Sequence, residues 1–234
     1  MSAFPQTRWS MISAVRGPDE RDATNALEDL CRLYRPAVLA FAERAIQDQQ
    51  EAEDLTQTFF ADLLARRRVE LAERTEGRFR TFLLKHFQFV LKDYLKRRRA
   101  EKRGGNLEQL SSDELTDAEA PVSLPDTATF DMSWALAVVR EAVRLLGEES
   151  ARAGGVPFAD LKGFLPGFQS GQQSYEELSA KHGVSEGALR VRVTRLRGRF
   201  GELLNAVLAD TVGSAADLEL EREALLAGLL RSLG

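Results

Sequence analysis

The chain predicts an all-α protein built from two small helical domains. Apolar residues recur at helical spacing through most of its 234 residues. Runs of alternating β-branched residues bounded by turn signals, the mark of half-buried strands, are absent. Stretches rich in Gly and Pro cut the helical pattern into blocks short enough to fold on one another. A hydrophobic content of 44% with 29% charged residues is that of an ordinary soluble globular chain with ample material for a core.

The elements follow in order. The opening MSAFPQTRWSMISAVRG lacks the apolar centre and small-residue cleavage site of a signal peptide. No apolar run approaches the ~20 residues that span a bilayer, so no membrane insertion is expected. The first helix reads from Thr24 to Ala45, with Leu27, Leu30, Leu33, Val38 and Phe41 facing inward and Pro36 marking a bend or a new start. Cys31, between Leu30 and Leu33, reads as a buried structural thiol. A lone cysteine cannot form an internal disulfide, which fits a reducing compartment and a cytoplasmic chain. Gln50 to Arg67 repeats the period with Leu55, Phe59 and Leu63, and Val69 to Gly77 reads as a loop or short turn. Phe79 to Lys102 is a long helix with Phe82, Leu83, Phe87, Val90, Leu91 and Tyr94 on its apolar side. These elements form a first domain over residues 1–103.

Residues 104–130 carry Gly104-Gly105, Pro121 and Pro125, and cannot bury enough apolar surface to offset ordering; they read as an acidic, mobile linker. A second domain spans 131–210, opening on Trp134, Leu136, Val138 and Val139. It breaks at Gly154, Gly155 and Pro157 and resumes at Phe158, Leu161 and Phe164. Residues 211–234 form an extension whose Asp217 to Leu233 reads as an acidic amphipathic helix with Leu218, Leu225, Leu226, Leu229 and Leu230. Packing over the second domain, binding a regulator and masking the basic helix are all open to it.

Net charge is −4, which alone argues against a nucleic-acid partner. The distribution reverses that. Ten positive residues between Arg78 and Arg103 are opposed only by Asp93 and Glu101, whereas Asn106 to Asp131 holds no Lys or Arg. Two basic stripes separated by an acidic segment are the pattern, and local fields govern phosphate binding. The second stripe lies in SYEELSAKHGVSEGALRVRVTRLRGRF, Ser174 to Phe200, which reads as a helix-turn-helix. Gly183 supplies the left-handed turn and Ser185 the N-cap of the second helix. Leu189, Val193, Leu196 and Phe200 make the buried stripe. Ser185, Glu186, Gly187, Ala188, Arg190, Val191, Arg192 and Arg195 form the front that would enter a DNA major groove, with Arg197 and Arg199 as phosphate contacts.

EAEDLTQTFFADLL (Glu51 to Leu64) followed by GRFRTFLLKHFQFVLKDYLKRRR (Gly77 to Arg99), and the helix-turn-helix with its S-Y-x-E-L and G-V-S-x-G phrases, carry a family resemblance. In that order the chain resembles a bacterial RNA polymerase sigma factor of the extracytoplasmic-function type, in the sigma-70 family, with sigma domains two and four only. The opening TRWSMI and the phrase EKRGG are similar to a subgroup of such factors. The resemblance implies core RNA polymerase and promoter DNA as partners, with contacts to the β′ coiled coil and the β flap. Glu53, Asp54, Gln57, Thr58 and Asp62 map to the docking helix, where carboxylates meet an arginine-rich partner. Arg78, Arg80, Lys92, Lys96, Arg97 and Arg98 map to the −10 element, each phosphate neutralised steepening the salt dependence by about 0.9. An extruded base would be received by the loop of about Leu71 to Arg80, with Phe82, Phe87, Phe89 and Tyr94 as stacking candidates that helical spacing assigns mostly to the core. The helix-turn-helix front maps to the −35 element. The family carries Glu where Thr58 stands, Trp where Phe82 stands and Asn where Phe89 stands. Phosphorylation of Thr56 or Thr58 would restore negative charge to the docking helix. An anti-sigma factor or a regulatory Ser/Thr kinase is therefore compatible with the chain.

Two other classes compete. A helix-turn-helix transcription regulator that never touches polymerase explains the second domain but leaves EDLTQTFF and the first basic block without a role. A metal-dependent nuclease using Glu51, Glu53 and Asp54 lacks a second carboxylate cluster, and His86 and His182 have no ligand-like neighbours. Phosphate loops, a nucleophile elbow and paired cysteines are missing, so neither an enzyme nor a cofactor or metal site is expected.

Overall fold

A computed structural model describes residues 20–65, 78–102, 123–168 and 173–232. Among them every regular element is helical and there is no strand, as the all-α reading expects. The helices are α1 (Glu20–Ile46), α2 (Gln49–Ala65), α3 (Phe79–Lys102), α4 (Ala128–Ala153), a short α5 (Phe158–Leu161) running into a 3-10 turn (Lys162–Phe164), α6 (Tyr175–His182), α7 (Glu186–Ala209) and α8 (Ala215–Ser232). The opening motif, the loop at 69–77 and the linker from 104 to 122 lie outside the described residues.

The chain divides into two compact units, residues 1–135 together with 211–234, and residues 136–210. This differs from the sequence reading at both ends of the second domain. Ala128–Phe130, read as linker, begin α4, and Trp134, read as second-domain core, is fully buried within the first unit with the Arg80 guanidinium 4.6 Å from its ring centroid. The C-terminal extension also belongs to the first unit rather than standing apart.

In the first unit, α1, α2 and α3 share an aromatic core. Phe87 meets Phe41 and Phe59 edge-on at centroid separations of 6.4 and 5.0 Å, and Tyr34 meets Phe79 at 5.1 Å. Edge-to-face pairs of this kind add about 0.5–1.5 kcal/mol each beyond area burial. Helix α1 runs through Pro36 without a break, because its inward face on either side, Leu33 and Ala37, is fully committed to the core. It ends at Gln47, whose φ of 58° is a left-handed conformation rare for a residue with a Cβ. Asp48 then caps α2, its carboxylate accepting from the Glu51 amide at 3.0 Å.

The second unit is built on α4 to α7. Leu189, Val193, Leu196 and Phe200 of α7 are buried with Leu178 of α6, Leu161 of α5, Phe164 and Leu165 after it, and Ala142 and Leu146 of α4. A capping box opens α6: Ser174 Oγ accepts from the Glu177 amide at 3.1 Å while the Glu177 carboxylate accepts from the Ser174 amide at 2.7 Å. Gly183, with φ 64°, makes the turn, and Ser185 Oγ accepts from the Ala188 amide at 3.3 Å to start α7.

Candidate polymerase-docking and nucleic-acid surfaces

On α2, Asp54, Gln57 and Thr58 are exposed along the outer face, while Glu53 and Asp62 are half-buried. Asp54 accepts from Gln50 at 3.2 Å, and Glu53 is ion-paired with Arg35 of α1. The outer face of α2 therefore presents one readily available carboxylate flanked by two neutral hydrogen-bonding side chains. Thr56 is a correction to the sequence reading. It is fully buried, and its hydroxyl has no hydrogen-bond partner among the described residues, so a kinase cannot reach it in the folded domain. Thr58 remains accessible. Cys31, expected buried, is half-exposed, and burial still raises its thiol pKa, which keeps the nucleophilic thiolate scarce.

The six cations expected at the −10 element separate into three environments. Lys92 and Arg97 are exposed and Lys96 half-buried. Arg98 is turned inward: it donates to the Ile46 carbonyl at 3.1 Å and pairs with Glu51 at 3.1 Å. Glu51 also accepts from the Tyr94 hydroxyl at 2.6 Å, and burial together with that bond pushes the phenol pKa up to about 12. Tyr94 is thus a structural tie between α3 and α2 rather than an open stacking face, and Phe87 is wholly core. Arg78 and Arg80 face a third environment. Arg80 Nε lies 2.9 Å from Glu221 of α8, Arg80 also pairs with Asp131 of α4, and Arg78 Nε lies 3.6 Å from the other Glu221 oxygen. The Arg80 side chain is only 11% exposed.

Phe89, one of the stacking candidates, and Lys85 complete the outer face of α3. Phe89 is 64% exposed and Lys85 is exposed. With Lys92 and Lys96 they follow one another at intervals of four, three and four residues, which is a single stripe on a helix. The signal was in the sequence: Phe89 is out of phase with Leu83, Phe87 and Leu91. An aromatic face among ammonium groups suits base stacking beside phosphate neutralisation.

On α7 the expected front is exposed as a group: Ser185, Glu186, Gly187, Ala188, Arg190, Val191 and Arg195 are all open to solvent. Arg190 lies over the Tyr175 ring at 4.4 Å and pairs with Glu186 at 3.3 Å, which pre-orients its guanidinium. Arg192 is half-buried and donates to the Gly154 carbonyl. A Cβ on Gly155 would run into that guanidinium, so the glycine there leaves room for it. Arg197 donates to the Phe164 carbonyl at 2.8 Å, and Arg199 pairs with Glu149 at 2.8 Å and Glu202 at 2.6 Å, so both are tied to the unit itself. Thr194, exposed one turn beyond Arg190, joins the front.

Residues 30–101, which run from α1 through α3, match the family model for sigma-70 region 2. The match supports a member of the sigma-70 family. The region 2 segment takes in all of α2 and the Lys85–Lys96 stripe, so the outer face of α2 and the basic face of α3 both fall inside it. No curated protein and no solved structure matches the chain. No described helix is long and apolar enough to cross a membrane.

Proposed function

We propose that the chain is a sigma factor of the extracytoplasmic-function type that binds core RNA polymerase and directs promoter recognition. The observation that carries this is the coincidence of the region 2 match with a helix, α2, whose outer face is Asp54, Gln57 and Thr58, next to a helix, α3, whose outer face is basic. In this reading α2 docks on the β′ coiled coil, and Lys92, Lys96 and Arg97 hold phosphates near the −10 element. The α6–α7 pair acts as sigma domain four, a helix-turn-helix at the −35 element that also meets the β flap. Arg190 and Arg195 read guanine edges, each good bidentate pair discriminating by about 1–3 kcal/mol. Val191, 52% exposed, offers an apolar contact for a thymine methyl. The work is done where polymerase is, in the cytoplasm, and requires no cofactor because it is differential binding rather than bond making.

Exposed Thr58 is the regulatory point of this scheme. A phosphate there adds about −1.5 to −2 charges to a docking face that has one readily available carboxylate, so a Ser/Thr kinase would switch docking on. The decisive experiment is co-elution of the full chain with bacterial core RNA polymerase, with Asp54→Arg/Gln57→Ala as control. Co-elution lost in the control supports docking through α2. If neither the wild type nor Thr58→Glu co-elutes, the sigma reading fails and a polymerase-independent DNA-binding regulator takes its place.

A further inference from the structure

We propose that α8 is an intramolecular competitor for DNA: its Glu221 carboxylate fills an anion site that Arg78 and Arg80 form for a phosphate, and α8 leaves when a phosphate takes that site. The identity of the displacing anion rests on the sigma reading; the competition itself rests on the geometry of the first unit. The two Glu221 oxygens are each met by a different arginine, at 2.9 Å from Arg80 and 3.6 Å from Arg78, as two phosphate oxygens would be. The site sits at the start of α3, where the helix dipole also favours an anion. Asp131 and Arg231 face the same cluster, Arg231 lying 3.7 Å from Asp131. With Glu221 withdrawn, Asp131 still balances part of the Arg80 charge, leaving Arg78 and the remaining Arg80 donors for a phosphate.

The contact is also built to separate. The face α8 turns inward runs through Glu221, Leu225 and Gly228 with Leu218 and Leu229 half-buried beside them, whereas Leu226 and Leu230 point away, 61% and 70% exposed. Leu225 alone among the leucines of α8 is buried, so the helix is held by fewer apolar side chains than its sequence offers. Tyr34 Oη, Trp134 Nε1 and Glu221 Oε1 are buried without a well-formed hydrogen bond among the described residues, although Thr211 and Trp134 approach the Tyr34 hydroxyl. Buried polar atoms in that condition oppose docking, and a buried ion pair contributes little net stability because both ions lose water. Undocking returns the Glu221 carboxylate to solvent.

Gly228 gives a way to lift α8 without changing a charge. A Cβ there would stand 2.7 Å from the Ala135 Cβ and 2.8 Å from the Asp131 carbonyl oxygen, so α8 cannot dock with a larger residue at this position. Replacing Gly mid-helix strengthens the helix itself, so Gly228→Leu displaces α8 without melting it. The test uses the full chain as wild type, Glu221→Ala, Gly228→Leu and Glu221→Ala/Arg80→Ala. Amide hydrogen exchange reports α8 docking, and affinity for a labelled mixed-sequence DNA duplex is followed with salt. The expected result is faster exchange confined to residues 211–232 in both single variants, with tighter DNA binding. Each phosphate contact regained should add roughly threefold to the affinity lost between about 50 and 200 mM salt, and the gain should vanish in the double variant. Freed α8 with unchanged DNA affinity overturns the proposal. So does faster exchange throughout α1 to α3, which would make α8 an integral part of the fold. Co-elution with core polymerase, scored in parallel, bears on the sigma reading alone.

Discussion

Replacing Arg80 with Met leaves the carboxylates of Glu221 and Asp131 buried near one another without their shared cation. Breaking a buried pair from one side in this way costs about 3–5 kcal/mol. Glu221→Gln should cost far less, because burial already disfavours its charge and raises the carboxyl pKa against the pull of Arg80 and Arg78. A raised folded-state pKa means that Glu221 contributes most below the ordinary carboxylate value of 4.5 and loses that contribution as pH rises through the raised one. Urea midpoints read from Trp134 emission in a Trp9→Phe background should therefore fall much further for Arg80→Met than for Glu221→Gln at neutral pH. Asp160 shows the opposite sign. Hydrogen bonds from Lys181 and His182, both at 2.8 Å, hold its pKa below the ordinary 3.8. Its contribution is present above that value and lost as pH falls through the lowered one. Acid should weaken the second unit less in Asp160→Asn than in wild type, read by NMR-monitored urea melts. The placement of Arg80 was legible in the sequence, since it is in helical phase with Leu83 and Phe87. Glu221 was not legible, because nothing local marks which charged residue of an acidic helix will meet arginines 141 positions earlier.

At the scale of elements, the turn into α7 was the most readable part of the chain because its chemistry is local. Gly183 takes the left-handed conformation, Ser185 caps, and both roles are fixed by neighbours within four residues. Ser185→Ala should lower the stability of the second unit by about 1 kcal/mol, measured by urea denaturation. Gln47 is the converse case. Its φ of 58° is imposed by the short connection from α1 to α2, a tertiary demand that a glutamine does not advertise. Gln47→Gly should stabilise the first unit by up to about 1 kcal/mol in the same assay. Helix α8 forms as its periodicity expects, and Leu218, Leu225 and Leu229 of its expected apolar face are buried or half-buried, but Leu226 and Leu230 are exposed. What hydropathy could not show is that Glu221 and Gly228 are buried on the same side as Leu225. An ion pair and a close backbone approach join hydrophobicity as organising forces there. Pro36 taught the same lesson for α1, where core packing on both sides outweighed one lost backbone hydrogen bond.

For the whole molecule, two compact units imply that unfolding is not one transition. Trp134 lies in the first unit, so its emission should change at a different denaturant concentration from the far-UV circular dichroism, which follows helices of both. Coincident curves would show a single cooperative block instead. The overall division into two helical bodies was readable from the periodic blocks and Gly/Pro breaks. The return of the C-terminus to the first body was not, because it depends on residues far apart in the chain. That return has a temporal consequence. The ribosome releases Arg80 long before Glu221, and at about 5–20 residues per second the intervening 141 residues take roughly 7–30 s to make. Throughout that interval the nascent first unit carries Arg78 and Arg80 without their later partner. The last helix to be synthesised docks on the unit whose helices are made first, so each new molecule passes through an uncovered youth before its cationic cluster meets its own C-terminal carboxylate.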